Sequence, residues 1–299
     1  MQCTSTLLMV RPVSFGFNEQ TAGNNHFQDR EISHHPVHLQ ALKEFEMMVE
    51  MLKNHEIEVL VVNDTPEPAK PDAVFPNNWF SCNNNAIYLF PMYALNRRTE
   101  KRKDIIEEVK KKTGITAIHD MSHHEKNSAF LEGTGSMVCD HQHKIIYACL
   151  SERTDEQLLK EYAVFTGYST CSFSAADKNG REIYHTNVMM CIGEHFAVVC
   201  ADAITNKEER HAMINKLELT GHEIILISHD QINSFAGNML QVNSKAGVPF
   251  LLMSKTAASS LNPSQLTELK KYISPLVADV TTIEKAGGGS VRCMVAELF

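Results

Sequence analysis

Helical signals recur along this chain at a nearly constant interval, and that interval restricts the possible architectures more than any other feature. Five segments carry apolar residues at helical spacing between start and stop residues. The first, about 38–54, places Leu39, Leu42, Phe45, Met48, Val49 and Leu52 on one face, with Pro36 ahead of it. The second begins near Arg97, turns Ile105, Ile106 and Val109 inward and stops at Gly114. Lys110, Lys111 and Lys112 sit at its end, where cations complement the helix dipole. The third opens with Thr154 and Gln157 in capping-box spacing and ends before Gly167. The fourth repeats the device with Thr205 and Glu208 and ends at Gly221. The fifth starts at Asn262-Pro263 and is stopped by Pro275. The starting points, near 38, 97, 154, 206 and 263, lie about 52–59 residues apart, a spacing that signals a repeat.

Between the helices run short β-branched or aromatic stretches: 59–62, 87–90, 145–149, 197–200, 224–227 and 250–253. Each unit therefore holds one helix and two or three strands, and the fold class is α/β. Two arrangements meet the spacing: an ordinary sheet of evenly sized βα units, or a closed ring of five ββαβ-like modules. No linker interrupts the pattern, so residues 1–299 read as one domain. With 299 residues, 43% of them hydrophobic, the chain buries a sizeable core.

Composition removes several functional classes. A net charge of −8 with no large single-sign half repels phosphate backbones, so no nucleic-acid partner is expected. No apolar run approaches the ~20 residues that span a bilayer, and the N-terminus lacks the pattern of a signal peptide. The eight cysteines form no CxxC pair, and Cys149 and Cys200 lie in apolar runs. Free thiols in a reducing cytoplasm fit this better than a zinc site or a disulfide framework.

Four stretches break the alternating pattern with polar, glycine or proline residues: 71–79, 131–136, 184–187 and 287–293. In the last, Gly287-Gly288-Gly289 gives the backbone freedom for positive φ or close approach. Cys293 follows beside Arg292, a cation that favours a thiolate if the two groups are close. Taken singly, each stretch has a plain reading: a glycine linker, a structural histidine at His185, a turn acid at Glu132, turn formers at Asn77-Asn78. Together a thiol, an imidazole and a carboxylate are the parts of a nucleophile–base–orienter triad. A ring of modules would bring such junctions to its centre.

At these residues the sequence resembles the guanidine-modifying superfamily of arginine deiminases, dimethylarginine hydrolases and amidinotransferases. The implied fold is a five-bladed α/β propeller (pentein) of five ββαβ-like repeats. The superfamily's cysteine segment resembles Gly287–Cys293, and its Glu-Gly-Gly-Asp turn resembles Glu132-Gly133-Thr134-Gly135 with two replacements. Its His-x-Asp resembles His185-Thr186-Asn187, and its Phe-x-x-Asp resembles Phe75-Pro76-Asn77-Asn78. The dimethylarginine hydrolases add Pro-Asp-x-Val-Phe, similar to Pro71–Phe75, an Arg-Arg pair similar to Arg97-Arg98, and Ser-x-Arg-Thr, similar to Ser151–Thr154. The resemblance implies catalytic Cys293, His185 and Glu132. It also implies Asp72 on a substrate α-ammonium, and Arg97 and Arg153 on its α-carboxylate.

Where acids grip a cationic guanidinium in the superfamily, this chain has Asn78 and Asn187, and Asn77 replaces a further acid. An amide donates as well as accepts, which suits a neutral ureido group. The pattern is similar to citrulline utilization hydrolases, implying a small amino-acid substrate, hydrolysis of citrulline to ornithine, ammonia and carbon dioxide, and no metal or organic cofactor. A guanidino substrate, as in arginine deiminases or dimethylarginine hydrolases, is the alternative. A non-catalytic ligand-binding member of the fold is a further one. The polar stretch 17–26 reads either as a lid or as a plain surface loop.

Overall fold

The computed structural model describes residues 1–29, 37–83 and 85–299; Pro36, read above as a helix-start signal, lies outside them. One pattern of elements recurs five times. The first module has β1 (Thr6–Arg11), α1 (Val37–Asn54) and β2 (Glu58–Asn63). The second has β3 (Phe80–Asn83), β4 (Ala86–Leu89), α2 (Lys103–Thr113) and β5 (Ala117–Asp120). The third, after the one-turn α3 (Gly133–Ser136), has β6 (Val138–Asp140), β7 (Ile145–Cys149), α4 (Glu156–Thr166) and β8 (Ser169–Phe173). The fourth has β9 (Met190–Ile192), β10 (Phe196–Val199), α5 (Lys207–Leu219) and β11 (Glu223–Leu226). After α6 (His229–Asn233), the fifth has β12 (Leu240–Asn243), β13 (Pro249–Ser254), α7 (Lys255–Ser260), α8 (Pro263–Lys270) and β14 (Ser274–Ala278). The chain finishes with α9 (Thr281–Gly287) and β15 (Ala296–Glu297).

The elements form five three-stranded sheets. In four, a hairpin is followed by a helix that carries the chain to a third strand, parallel to the middle one. The remaining sheet completes the same ββαβ pattern from both ends of the chain. β15 pairs antiparallel with β1 through Leu7↔Glu297 and Leu8↔Ala296, and β1 runs parallel to β2. Middle strands, covered on both faces, read as unbroken apolar runs such as Ile145–Cys149 and Phe196–Val199, all buried.

Several helix boundaries differ from the sequence reading. Arg97 lies in a short 3-10 turn, Asn96–Glu100, and α2 starts at Lys103. The caps of α4 and α5 are Asp155 and Asn206, each one residue past the expected threonine. Their side chains accept two backbone N–H groups each, and acid and amide side chains are better caps than threonine. Asn262 does cap α8, in a capping box with Gln265. That helix ends at Lys270, however, and Pro275 sits inside β14, an edge strand that tolerates a missing donor. Leu39, read as inward, is exposed on α1. Among the described residues, no helix is long and apolar enough to cross a membrane.

Candidate active site

The irregular stretches occupy equivalent places in the modules, because each leads into a module's first strand. Before β3 lies the 3-10 turn Pro76–Asn78, before β6 the turn α3, and before β9 the 3-10 turn Thr186–Val188. Phe235–Asn238 precedes β12, and 288–293 precedes β15. A small cavity is lined by Asn25, Asp72, Phe75, Asn78, Arg97, Arg153, Tyr184, His185, Gly287–Gly289 and Cys293.

His185 Nε2 lies 2.8 Å from Glu132 Oε2. Glu132, fully buried behind the imidazole, also accepts the Tyr93 backbone N–H at 3.0 Å and faces Arg153 Nη1 at 3.4 Å. Burial opposes its charge, but Arg153 and His185 outweigh that and hold the carboxyl well below the usual carboxylate range. Burial drives His185 down, to about 4, against the pull of Glu132. At neutral pH the ring is therefore neutral. It donates Nε2–H to the carboxylate and leaves Nδ1 as the basic nitrogen, on the side of Gly135 and Asn78. Glycine is required beside it. A Cβ on Gly135 would lie 2.8 Å from His185 Nδ1 and 2.4 Å from Asn78 Nδ2, so both atoms border one small space.

A buried neutral histidine has a stability consequence. The unfolded chain binds the proton first, so stability falls as pH drops from about 6.5 toward 4. His141, also held at about 4 by burial and by Arg292, acts in the same direction. Burial pushes Glu100 up to about 7, so that carboxyl acts in the opposite direction and offsets part of the loss. Two histidines outweigh it, so the urea midpoint is expected to be lower at pH 5 than at pH 7, and an unchanged or higher midpoint would contradict this.

Cys293 is held by its own loop. Glu44 on α1 accepts the backbone N–H groups of Thr282 and Ile283 at 3.0 Å, capping α9 from another element. Glu284 on α9 then takes the Ser290 hydroxyl at 2.6 Å, and Ser290 O accepts Cys293 N at 2.9 Å. Two amides point at the sulfur: Asn187 Nδ2 at 3.5 Å and Asn238 Nδ2 at 3.3 Å. Arg292 does not take the role its sequence position suggested. Its side chain turns the other way, onto Glu297 Oε2 at 2.9 Å and Val295 O at 3.2 Å.

At the far wall Asp72 is buried, and its Oδ1 has no hydrogen-bond partner. Oδ2 accepts Asn18 Nδ2 at 2.7 Å. Arg153 stacks 4.6 Å from the Tyr184 ring centroid, donates to Asn24 and to Thr21 O, and leaves Nε unpartnered. The 17–26 stretch thus lies directly over the cavity. Asn25 adds bonds to Gly287 O and the Tyr184 hydroxyl.

The expected residues therefore assemble unequally. Cys293, His185, Asp72, Asn78, Arg97 and Arg153 line one cavity, with Glu132 behind His185 and Asn187 behind Cys293. Asn77 does not reach the wall, because adjacent residues of a 3-10 turn point about 120° apart. It is fully buried, with both side-chain polar atoms unpartnered. Arg97 differs from the expected carboxylate clamp. Its Nε and Nη2 grip Glu100 at 2.9 Å, Nη2 also bonds Phe75 O at 3.1 Å, and Nη1 bonds Asn78 Oδ1 at 2.7 Å. Most of its donors are spent on Glu100 and Phe75 O, and the remaining Nη1 bond orients the Asn78 amide.

Glu100 and Asn238 escaped the sequence reading. Asn238 had a readable signal: Gly237-Asn238-Met239 stands before β12 as Gly135-Ser136-Met137 stands before β6. Besides the sulfur, its Nδ2 contacts Asn187 O at 3.1 Å, and its Oδ1 accepts Arg292 N at 3.1 Å. Asn238→Ala should lower kcat roughly 10- to 100-fold, the worth of a hydrogen bond to a charged group, with KM little changed. Steady-state rates within twofold of wild type would remove Asn238 from the machinery.

A cysteine, a Glu-bound histidine and a polar cavity meet at this place, and the class they fit is a hydrolase of the guanidine-modifying superfamily. The family model described as N,N dimethylarginine dimethylhydrolase, eukaryotic, matches residues 11–299. The chain belongs to that family, whose members hydrolyse guanidino carbon–nitrogen bonds. No curated protein sequence matches it. Among solved structures, ArgZ, a cyanobacterial arginine dihydrolase, superposes with TM-score 0.74 and 16% identity over 98% of this chain. AgrE bound to L-arginine gives 0.74 and 18% over 98%. This chain spans 40% of each of those longer proteins. DDAH from Pseudomonas aeruginosa, as a cysteine-to-serine variant with citrulline, gives 0.69 and 14%, covering 99% of this chain and all of that one. At these identities the likeness is one of fold.

Proposed function

We propose that this protein hydrolyses citrulline to ornithine, ammonia and carbon dioxide through a covalent intermediate on Cys293. The observation that carries this reading is the polarity of Asn78. Arg97 occupies its Oδ1, which fixes the amide orientation and leaves Nδ2, buried and unpartnered, beside His185 Nδ1. A buried donor there matches a ureido oxygen and opposes a guanidinium, which has only donors to offer. Asn187 Oδ1, also unpartnered, stands beside the Cys293 sulfur and would accept a ureido N–H once the scissile carbon reaches that sulfur.

Asp72 Oδ1 and Arg153 Nε receive the α-ammonium and α-carboxylate. The Cys293 sulfur attacks the ureido carbon, and the thiol proton, taken up by His185, passes to the departing nitrogen. Loss of the terminal amide as ammonia leaves a carbamoyl thioester. Water, deprotonated by His185, adds to it and expels the thiolate. The resulting carbamate loses carbon dioxide and gives ornithine, so one water is consumed per turnover. Asn18, Thr21, Asn24 and Asn25 form the lid over this chemistry. We read the five sheets as the blades of a closed five-bladed propeller within one domain, residues 1–299. This rests on the β15–β1 pairing and on the Cys82↔Leu298 bridge between β3 and the chain's end.

The family match supports a second reading, hydrolysis of a methylated arginine. A release assay separates the two. Ammonia from citrulline should give the highest kcat/KM in a set with arginine, dimethylarginine, agmatine and N-carbamoyl amino acids. Faster release of dimethylamine from dimethylarginine would install the second reading.

A further inference from the structure

We infer a divalent-metal site, separate from the catalytic cavity, formed by Asp140, His143 and His222. Asp140 ends β6, His143 lies in the turn to β7, and His222 stands between α5 and β11, so the three join the third module to the fourth. One ligand atom from each residue falls within 4.8 Å of the others. His143 Nδ1 lies 2.8 Å from Asp140 Oδ2, and His222 Nε2 lies 3.9 Å from it. Ligands bonded at about 2.1 Å in a tetrahedron stand roughly 3.4 Å apart, midway between these separations.

Two independent observations point to a cation here. The first is the tautomer of His222. Its Nδ1 lies 2.9 Å from Thr220 Oγ1, and that hydroxyl spends its proton on Lys216 O or Leu217 O, each at 2.9 Å. The hydroxyl then accepts Nδ1–H, and Nε2 stands 3.9 Å from Asp140 Oδ2 with the Gly193 backbone beside the ring. An Nδ1–H anchored by an outer hydrogen bond is how metal-ligating histidines are held. The second is Tyr147 on β7. Its buried hydroxyl faces the same Thr220 that holds His222 and lies in the field of Asp140, with no well-aligned hydrogen bond of its own.

Two imidazoles and one carboxylate suit zinc, cobalt or nickel rather than magnesium or calcium. Asp140 and His222 are buried while the His143 side chain is 31% exposed, which gives an entry path. In this role the ion is a structural staple between modules.

Equilibrium dialysis of Zn²⁺ against the full chain carrying Cys293→Ser tests this without the catalytic thiol. One ion per chain is expected, and His143→Ala, a change at an exposed position, should weaken it about tenfold or more. The Co²⁺-loaded protein should show ligand-field bands without a sulfur-to-metal charge-transfer band, and Zn²⁺ should raise the Tm of wild type but not of His143→Ala. No bound ion, affinity unchanged by His143→Ala, or a dominant sulfur charge-transfer band would each overturn the site.

Discussion

Cys293→Ala should lower kcat by at least ~10⁴-fold while leaving the fold intact, the largest effect expected of any single change here. The side chain is small, lies in a turn and borders the cavity, so trimming it by one atom leaves the packing nearly whole and the loss is chemical. Removing a nucleophile removes the covalent step itself. The lid, the Asp72 and Arg153 contacts and the Glu132–His185 pair would all survive, so substrate should still bind. Selective labelling is the companion result. Burial pushes Cys139, Cys149 and Cys191 up to about 12 and Cys82 to about 11, and it raises Cys3, Cys171 and Cys200 as well. A haloacetamidine should therefore modify Cys293 ahead of the other seven cysteines. A Cys293→Ala protein retaining a tenth of wild-type kcat would end the covalent mechanism.

The second large effect is a reversal of charge selectivity. Asn78→Asp with Asn187→Asp should turn a site that prefers citrulline into one that prefers arginine, each preference on the order of a hundredfold. The two ligands share the α-amino acid handle and are nearly isosteric, so the tail decides. At position 78 the change replaces an unpartnered donor by a carboxylate oxygen, with the other oxygen still held by Arg97. At position 187 it withdraws the N–H aimed at the Cys293 sulfur and sets a negative charge beside it. Turnover should therefore fall even as arginine binding improves, and the double variant is best read by affinity. A double variant that still favours citrulline would show that these positions do not set selectivity.

The five-module plan was legible because each module needs a capped amphipathic helix, and helices announce their ends. The exact caps were not, since Thr154 and Thr205 each stand one residue before a better cap, and local sequence offers both. Most outer strands were invisible. Segments as short as Ala296–Glu297 carry no period of their own, and tertiary pairing makes them strands. Of the site, the residue types and their order could be read, because a thiol, an imidazole and a carboxylate have few reasons to share irregular junctions. What each polar group faces could not. Arg97 reads as a carboxylate clamp, and only three-dimensional contact with Glu100, Phe75 and Asn78 reveals it as the residue that fixes an amide. Arg292 adjoins Cys293 in sequence, yet successive side chains diverge, and the groups that meet the sulfur come from Asn187 and Asn238.

The central claim is that this cavity is built for a neutral ureido group. Its most direct test is calorimetric titration of the Cys293→Ala protein, with Asn78 and Asn187 intact, against citrulline and against arginine. Removing the thiol prevents turnover, so both titrations report binding alone. The account predicts that citrulline binds about a hundredfold more tightly, since a guanidinium beside the Asn78 amide would be buried without a compensating carboxylate. Tighter binding of arginine would contradict it.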